Sequence, residues 1–251
     1  TIKKIGDPSL VSRLMPEMSG TRPFVKFLIM LLAVTSAVTM LARPQYGSKI
    51  EEVKKQGVEV IIALDVSNSM LAEDIQPNRL IRAKQAISRL VDNLSNDRIG
   101  LIVFAGDAYT QIPVTTDYVS AKMFLSAITP EMVPKQGTAI GAAIELGIRS
   151  FSPGEGKSRA MIIITDGENH EKDPVSSSEE AAKAGIIIHT VGIGSPEGVP
   201  IPIETGGRKD YLKDADGNTV ITRLDEETLK KIALGTGGNY IRASNSSLGL
   251  D

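Results

Sequence analysis

Short apolar runs and longer amphipathic stretches alternate along most of this chain. Val58–Leu64 is rich in β-branched residues and reads as a buried strand, and Ile99–Phe104, Arg159–Thr165 and Ile186–Ile193 read the same way. Tyr109–Val114 follows the second of these runs after only Ala105–Ala108, a connection short enough for a hairpin and hence for one antiparallel edge strand. The stretches between have a helical period. Arg79–Leu94 places Leu80, Ala83, Ala86, Ile87, Leu90 and Leu94 on one face. Asp117–Ile128 starts on a capping residue and has a helical apolar pattern of Val119, Met123, Leu125 and Ile128. A helix opening near Thr138 and running to about Phe151, one over Ser176–Ala184, one over Glu226–Leu234 capped by Asp225, and a last strand at Asn239–Arg242 complete the series. Strands alternating with helices predict an α/β fold: a doubly wound, mostly parallel sheet with helices on both faces.

Two stretches depart from this rhythm. From Gly198 to Leu224 the alternation breaks, and Asp216-Gly217-Asn218 supplies a turn signal, so residues 199–224 are predicted to form a β-hairpin insertion. Asp214, Asp216 and Asn218 imitate a calcium loop, but the rest of that ligand pattern is missing. Near the N-terminus, Phe27–Ala42 is sixteen residues without a charge. Extended back to Phe24, the segment makes a helix of about 28 Å at ~1.5 Å per residue, close to the hydrocarbon thickness of a bilayer. More than twenty residues precede it and Arg43-Pro44 follows it, which is not the shape of a cleavable signal peptide. Lys3, Lys4, Arg13, Arg22 and Lys26 before it, against Arg43, Lys49, Lys54 and Lys55 after it, favour an inside N-terminus by a small margin. The expected organisation is a juxtamembrane segment (1–23), a transmembrane helix (24–42), a linker (43–56), a globular domain (57–243) and a tail (244–251).

Composition narrows the chemistry. A net charge of −2, no Trp and only five Phe and five Tyr argue against a nucleic-acid partner. With no cysteine, disulfides, thiolate metal sites and cysteine nucleophiles are excluded. The two histidines, His170 and His189, stand in no metal-ligand or nucleophile-base spacing. His170 is either a surface residue or lies at the rim of the loop after Asp166. Gly154–Ser158 resembles the end of a phosphate-binding loop but precedes a strand instead of opening a helix, so it reads as a surface turn.

The remaining signal is oxygen chemistry at strand ends. The run Val58–Met70 stops on Asp65, Ser67 and Ser69, a D-x-S-x-S cluster. By themselves these residues read either as a capped turn or as about half the coordination shell of a hard divalent cation. Thr138 lies at a helix start and Asp166 at the end of another strand, and in an open α/β sheet ligands bind beyond the carboxyl ends of the strands. One fold can therefore gather all five residues. Such a set is weakly charged, leaves the cation Lewis-acidic with an open position, and suits an incoming carboxylate.

The three segments D-x-S-x-S at Asp65–Ser69, QGTAIG around Thr138 and ITDGE around Asp166 resemble the metal-ion-dependent adhesion site of von Willebrand factor A (VWA) domains. SNSMLAEDIQPNRLIRAKQAI, DRIGLIVFAGDAYTQIPVTTDY and TDGENHE are similar to the Bat family of bacterial aerotolerance operons, nearest to its B-type branch. The resemblance covers about Arg43 to Ala243. It implies Asp65, Ser67, Ser69, Thr138 and Asp166 as ligands of a divalent cation, magnesium first, with calcium or manganese as alternatives. It also implies a VWA domain anchored in the bacterial inner membrane on the periplasmic side. The implied partners are other Bat-type membrane proteins, among them an A-type VWA protein, and a MoxR-type AAA+ ATPase system, with the ligand carboxylate supplied by a partner protein.

A non-enzymatic interaction module is thus the leading expectation. Two alternatives stay open: a scaffold whose metal is only structural, and a metallohydrolase using Asp65 and Asp166 with Glu168 as base. Asp74 either shapes a ligand near the first loop or caps the loop before Arg79.

Overall fold

The computed structural model describes residues 21–42, 57–153, 158–169, 173–205 and 208–243. The expectations for residues 1–20, the linker after residue 42, the turn at 154–157, His170 and the C-terminal tail lie outside them. The chain divides into two units, Thr1–Val53 and Lys54–Asp251.

The first unit contains helix α1, Arg22–Leu41, in which no residue is buried. It begins two residues before Phe24, because Pro23 sits in the first turn, where its missing N–H is no loss. Thr35 and Thr39 donate their hydroxyls to the carbonyls of Leu31 and Thr35, four residues back. Both threonine hydroxyls are thereby satisfied inside the helix. At 20 residues, or about 30 Å, α1 is long and apolar enough to cross a membrane.

The second unit is an α/β domain. Its strands are β1 (Glu59–Asp65), β2 (Arg98–Phe104), β3 (Ala108–Thr115), β4 (Arg159–Thr165), β5 (Ile186–Gly192) and β10 (Tyr240–Arg242), in the sheet order β10-β5-β4-β1-β2-β3. All neighbours are parallel except β2 and β3, which pair antiparallel with register shifts. β3 carries Pro113, which an edge strand tolerates because a ladder bond is not required on its outer side. Helices α2 (Arg79–Asn93), α3 (Tyr118–Ala127), α4 (Ile140–Ser150), α5 (Pro174–Lys183) and α6 (Glu226–Gly235) cover the sheet.

Strand β1 shows why the sheet needs both layers. Ile62 and Leu64 belong to a core with Leu80, Ala83, Ile87 and Val91 of α2. Ile61 and Ala63 belong to a second core with Ile140 and Ile144 of α4 and Ile232 of α6. An apolar run without polar alternation is what a strand buried on both faces requires.

Two expectations are corrected. On α3 the buried residues are Ala121 and Leu125, followed by Ile128, whereas Val119 and Met123 are exposed at 83% and 61%. At ~100° per residue Ala121, Leu125 and Ile128 fall on one face of the helix and Val119 and Met123 on the other, so only the first three can meet the sheet together. The insertion is also more than one hairpin. It forms two antiparallel pairs, β6 (Val199–Pro200) with β9 (Ile221–Thr222) and β7 (Pro202–Thr205) with β8 (Arg208–Tyr211). Asp216-Gly217-Asn218 does turn, with Asp214 accepting from the N–H groups of Asp216 and Asn218, but it closes only a single bridge between Lys213 and Thr219.

Candidate metal centre

The three segments singled out by the sequence meet at the carboxyl ends of β1 and β4, where the strand order reverses. Asp65 ends β1 and is fully buried. Its Oδ1 accepts the Ser67 N–H at 2.9 Å, and its Oδ2 accepts the Thr165 hydroxyl at 2.6 Å, so both oxygens are aimed before any ligand arrives. The chain then enters a single 3-10 turn, Asn68–Leu71, which places the Ser67 and Ser69 hydroxyls 2.8 Å apart. All five candidate ligands, Thr138 and Asp166 included, are buried.

Thr138 is brought in by its own loop. The Gln136 side chain donates to the carbonyls of Pro130 and Val133 and accepts the Asn68 N–H at 3.1 Å, stitching this loop to the Ser67–Ser69 turn. Gly137 has φ +119°, a conformation that side-chain-bearing residues avoid. Ser67, Ser69 and Thr138, with Asn68, Gln136 and Glu168, line a cleft of about 180 Å³.

Asp166 is held from the opposite side. Its Oδ2 accepts from Arg79 Nη1 at 3.0 Å and from the Thr222 hydroxyl of β9 at 2.9 Å, and its Oδ1 accepts the Glu168 N–H at 3.3 Å. Arg79 is completely buried and also grips Asp74 through Nε and Nη2, both at 2.8 Å. Asp74 thus holds Arg79, and its Oδ2 also accepts the Ser195 N–H at 2.7 Å. Burial pushes the Asp74 carboxyl up, but the hydrogen bonds and charge of Arg79 and the Ser195 N–H outweigh it and keep it below its ordinary value. Gly194 completes the pocket, since a Cβ there would lie 2.6 Å from the Arg79 guanidinium carbon.

Asp65 moves the other way. Its burial, and then the nearby Asp166 carboxylate, push it up to about 7, against the hydrogen bonds from Thr165 and Ser67. A second positive charge is what this pair of acids lacks. The donor set fits a hard divalent cation: all five side chains offer oxygen, and adjacent ligands at the 2.0–2.1 Å bond length of magnesium stand about 2.9 Å apart on an octahedron, close to the Ser67–Ser69 separation of 2.8 Å. With Oδ2 occupied by Arg79 and Thr222, Asp166 can serve only through its other oxygen or through water. Among the described residues no cluster of three or more acidic or histidine side chains offers a richer metal site.

A family model described as von Willebrand factor type A domain matches residues 59–249. The chain belongs to the von Willebrand factor A family. The solved structure of a conserved hypothetical protein BatB from Bacteroides thetaiotaomicron is 58% identical, covers 76% of this chain and 93% of its own, and superposes with a TM-score of 0.73. An aerotolerance-related membrane protein from Bacteroides fragilis, in a form with multiple mutations to serines, is 54% identical, covers 77% and 95%, and has a TM-score of 0.74. A curated relative, a UPF0353 protein of Mycolicibacterium paratuberculosis, is 32% identical over 74% of this chain, which spans 55% of that protein's length. Within the VWA family, the similarity is thus to Bat-type proteins.

Several residues of the VWA domain that shape the site escaped the sequence reading: Arg79, Thr165, Gln136 and Thr222. Arg79 did leave a trace. An arginine in the first turn of α2, just after the capping Asn78, opposes the helix dipole and so needs a carboxylate partner from elsewhere. Glu168 lines the cleft, but its Oε1 accepts the Arg223 N–H at 2.7 Å, an engagement that weakens it as a general base.

Proposed function

We propose that this chain is a membrane-anchored VWA interaction module that holds a divalent cation on Asp65, Ser67, Ser69, Thr138 and Asp166 and takes a carboxylate of a partner protein as the remaining ligand. The observation that carries this reading is the pair of hydroxyls 2.8 Å apart, backed by two buried carboxylates and opening into a cleft. The bound cation supplies positive charge and Lewis acidity to an incoming oxygen. Asp65 anchors it, the three hydroxyls orient it without neutralising it, and Arg79 withholds one oxygen of Asp166 from it. Magnesium suits this small oxygen set best, with calcium or manganese as alternatives.

The apolar helix α1 and the membrane-protein relative support anchoring in a membrane, which we take to be the bacterial inner membrane with the VWA domain on the periplasmic side. The partners we propose are other Bat-type membrane proteins, including an A-type VWA protein, and a MoxR-type ATPase system. The module acts by binding and not by catalysis, a reading supported by the engagement of Glu168 with the Arg223 backbone. Pull-down from detergent-solubilised membranes, with magnesium or with EDTA, tests it. The expected result is partner capture in magnesium that is lost in EDTA and with Asp65→Ala or Ser67→Ala. Capture indifferent to chelator and to both substitutions sinks the reading.

A further inference from the structure

The cleft over the Ser67 and Ser69 hydroxyls has two unlike walls. One is the polar wall of Ser67, Ser69 and Thr138; the other consists of Ile201, Leu212 and Val220, all from the insertion. The backbone that carries these side chains is tied together by Leu212 N–H to Ile201 O at 2.9 Å and Val220 N–H to Leu212 O at 2.8 Å. The insertion is itself fastened to the site, since Thr222 donates to Asp166 and the Arg223 N–H donates to Glu168. The apolar wall is therefore built into the site and is not a loop lying near it.

Size and chemistry limit what can enter. At about 180 Å³ the cleft is smaller than the roughly 300–1,000 Å³ of small-molecule sites, and near the ~150 Å³ that holds one benzene-sized group. A cleft this small takes protruding side chains and not a whole small molecule: its polar wall suits an acidic group, and its apolar wall suits the flank of an apolar neighbour. We infer that the occupant is an exposed segment of a partner protein in which Glu or Asp stands beside a bulky apolar residue. The acid meets the cation by charge complementarity, and its neighbour packs on Ile201, Leu212 and Val220, so the insertion selects the partner. This inference rests on the carboxylate reading proposed above.

The test uses the full chain in detergent, loaded with magnesium, and three fluorescent peptides. One is glycine-rich with a single glutamate; the second adds phenylalanine beside the glutamate; the third keeps phenylalanine and lacks the acid. The second is expected to bind at least tenfold tighter than the other two, and only with the metal. Leu212→Ser, Leu212→Ala and Val220→Ser are expected to erase most of that advantage while leaving the first peptide and a manganese titration unchanged, the latter confirming that the variants fold. Equal binding of the first two peptides, or an advantage that survives all three substitutions, overturns the apolar wall and leaves the carboxylate reading standing. Binding of the third peptide as tight as the second also overturns it. Absence of metal-dependent binding by either glutamate peptide overturns both.

Discussion

At the N-terminal end of β1 the buried Glu59 meets Arg98 Nη1 at 2.8 Å and the Ser152 N–H at 3.0 Å, while at its C-terminal end Asp65 joins Asp74, Asp166 and Arg79. Among the described residues the first cluster sets the Glu59 carboxylate against the Arg98 guanidinium, and the Arg98 side chain remains 36% exposed to water. The second sets three carboxylates against one guanidinium, with the Arg79 side chain fully buried. One guanidinium does not balance that many acids, and the Asp65 carboxyl is pushed up to about 7, first by its burial and then by the Asp166 carboxylate. Two ends of one strand thus differ in whether the protein closes its own charge balance. The end that does not is the one lined with hydroxyls and opening into a cleft.

The comparison breaks most visibly at Arg79. Arg79→Met leaves Asp74 and Asp166 buried without their cation and is expected to lower stability by about 3–5 kcal/mol in urea denaturation with EDTA. A loss below 1 kcal/mol would show that the cluster does not depend on this charge. Asp65→Asn acts on the excess itself. It should weaken manganese binding roughly 100-fold or more by isothermal titration, since the ligand that anchors the cation loses its charge. Without metal the sign reverses. Ionising a carboxyl with a raised pKa costs the fold stability as pH climbs through about 7, so at pH 8 in EDTA the variant should melt later than the wild type. Earlier melting would contradict the charge argument.

Glu59→Gln probes the balanced end. Because Arg98 keeps access to water, the loss should be about 1–3 kcal/mol, and the thermal shift on adding magnesium should stay as in the wild type. A changed magnesium response would mean the two ends are coupled. The smallest effect is acid sensitivity. The Asp74 carboxyl is held below its ordinary value, so the stability it adds is present at neutral pH and is lost as pH falls through its folded value. Asp74→Asn should therefore flatten the acid limb of a stability–pH curve; an unchanged slope would remove Asp74 from the account.

Much of this could be read without coordinates, for a definite reason. Asp65, Ser67 and Ser69 lie within five residues, and Asp166 directly follows an apolar strand, so a continuous apolar run ending in oxygens marks them locally. The Arg79 partners were not readable in this way. Asp166 is 87 residues from Arg79 and Thr222 is 143 residues away, and no local pattern joins them. On α3 the larger Val119 and Met123 lie, at ~100° per residue, on the face opposite Leu125 and Ile128, whereas Ala121 shares the face of those two. Hydrophobicity alone favours the larger side chains, while packing chose the smaller one.

What the sequence determined by itself is the sheet-and-helix alternation, the long apolar helix near the N-terminus and the identity of the oxygen-bearing loops, because each is written in neighbouring residues. Tertiary structure decided which buried charges meet, that Asp74 serves Arg79, and that the insertion presents Ile201, Leu212 and Val220 to the cleft. Except for Asp74, which lies five residues from Arg79, those outcomes depend on pairings across long stretches of chain. Burying a charge is expensive enough that the fold must find it a partner, however distant in sequence.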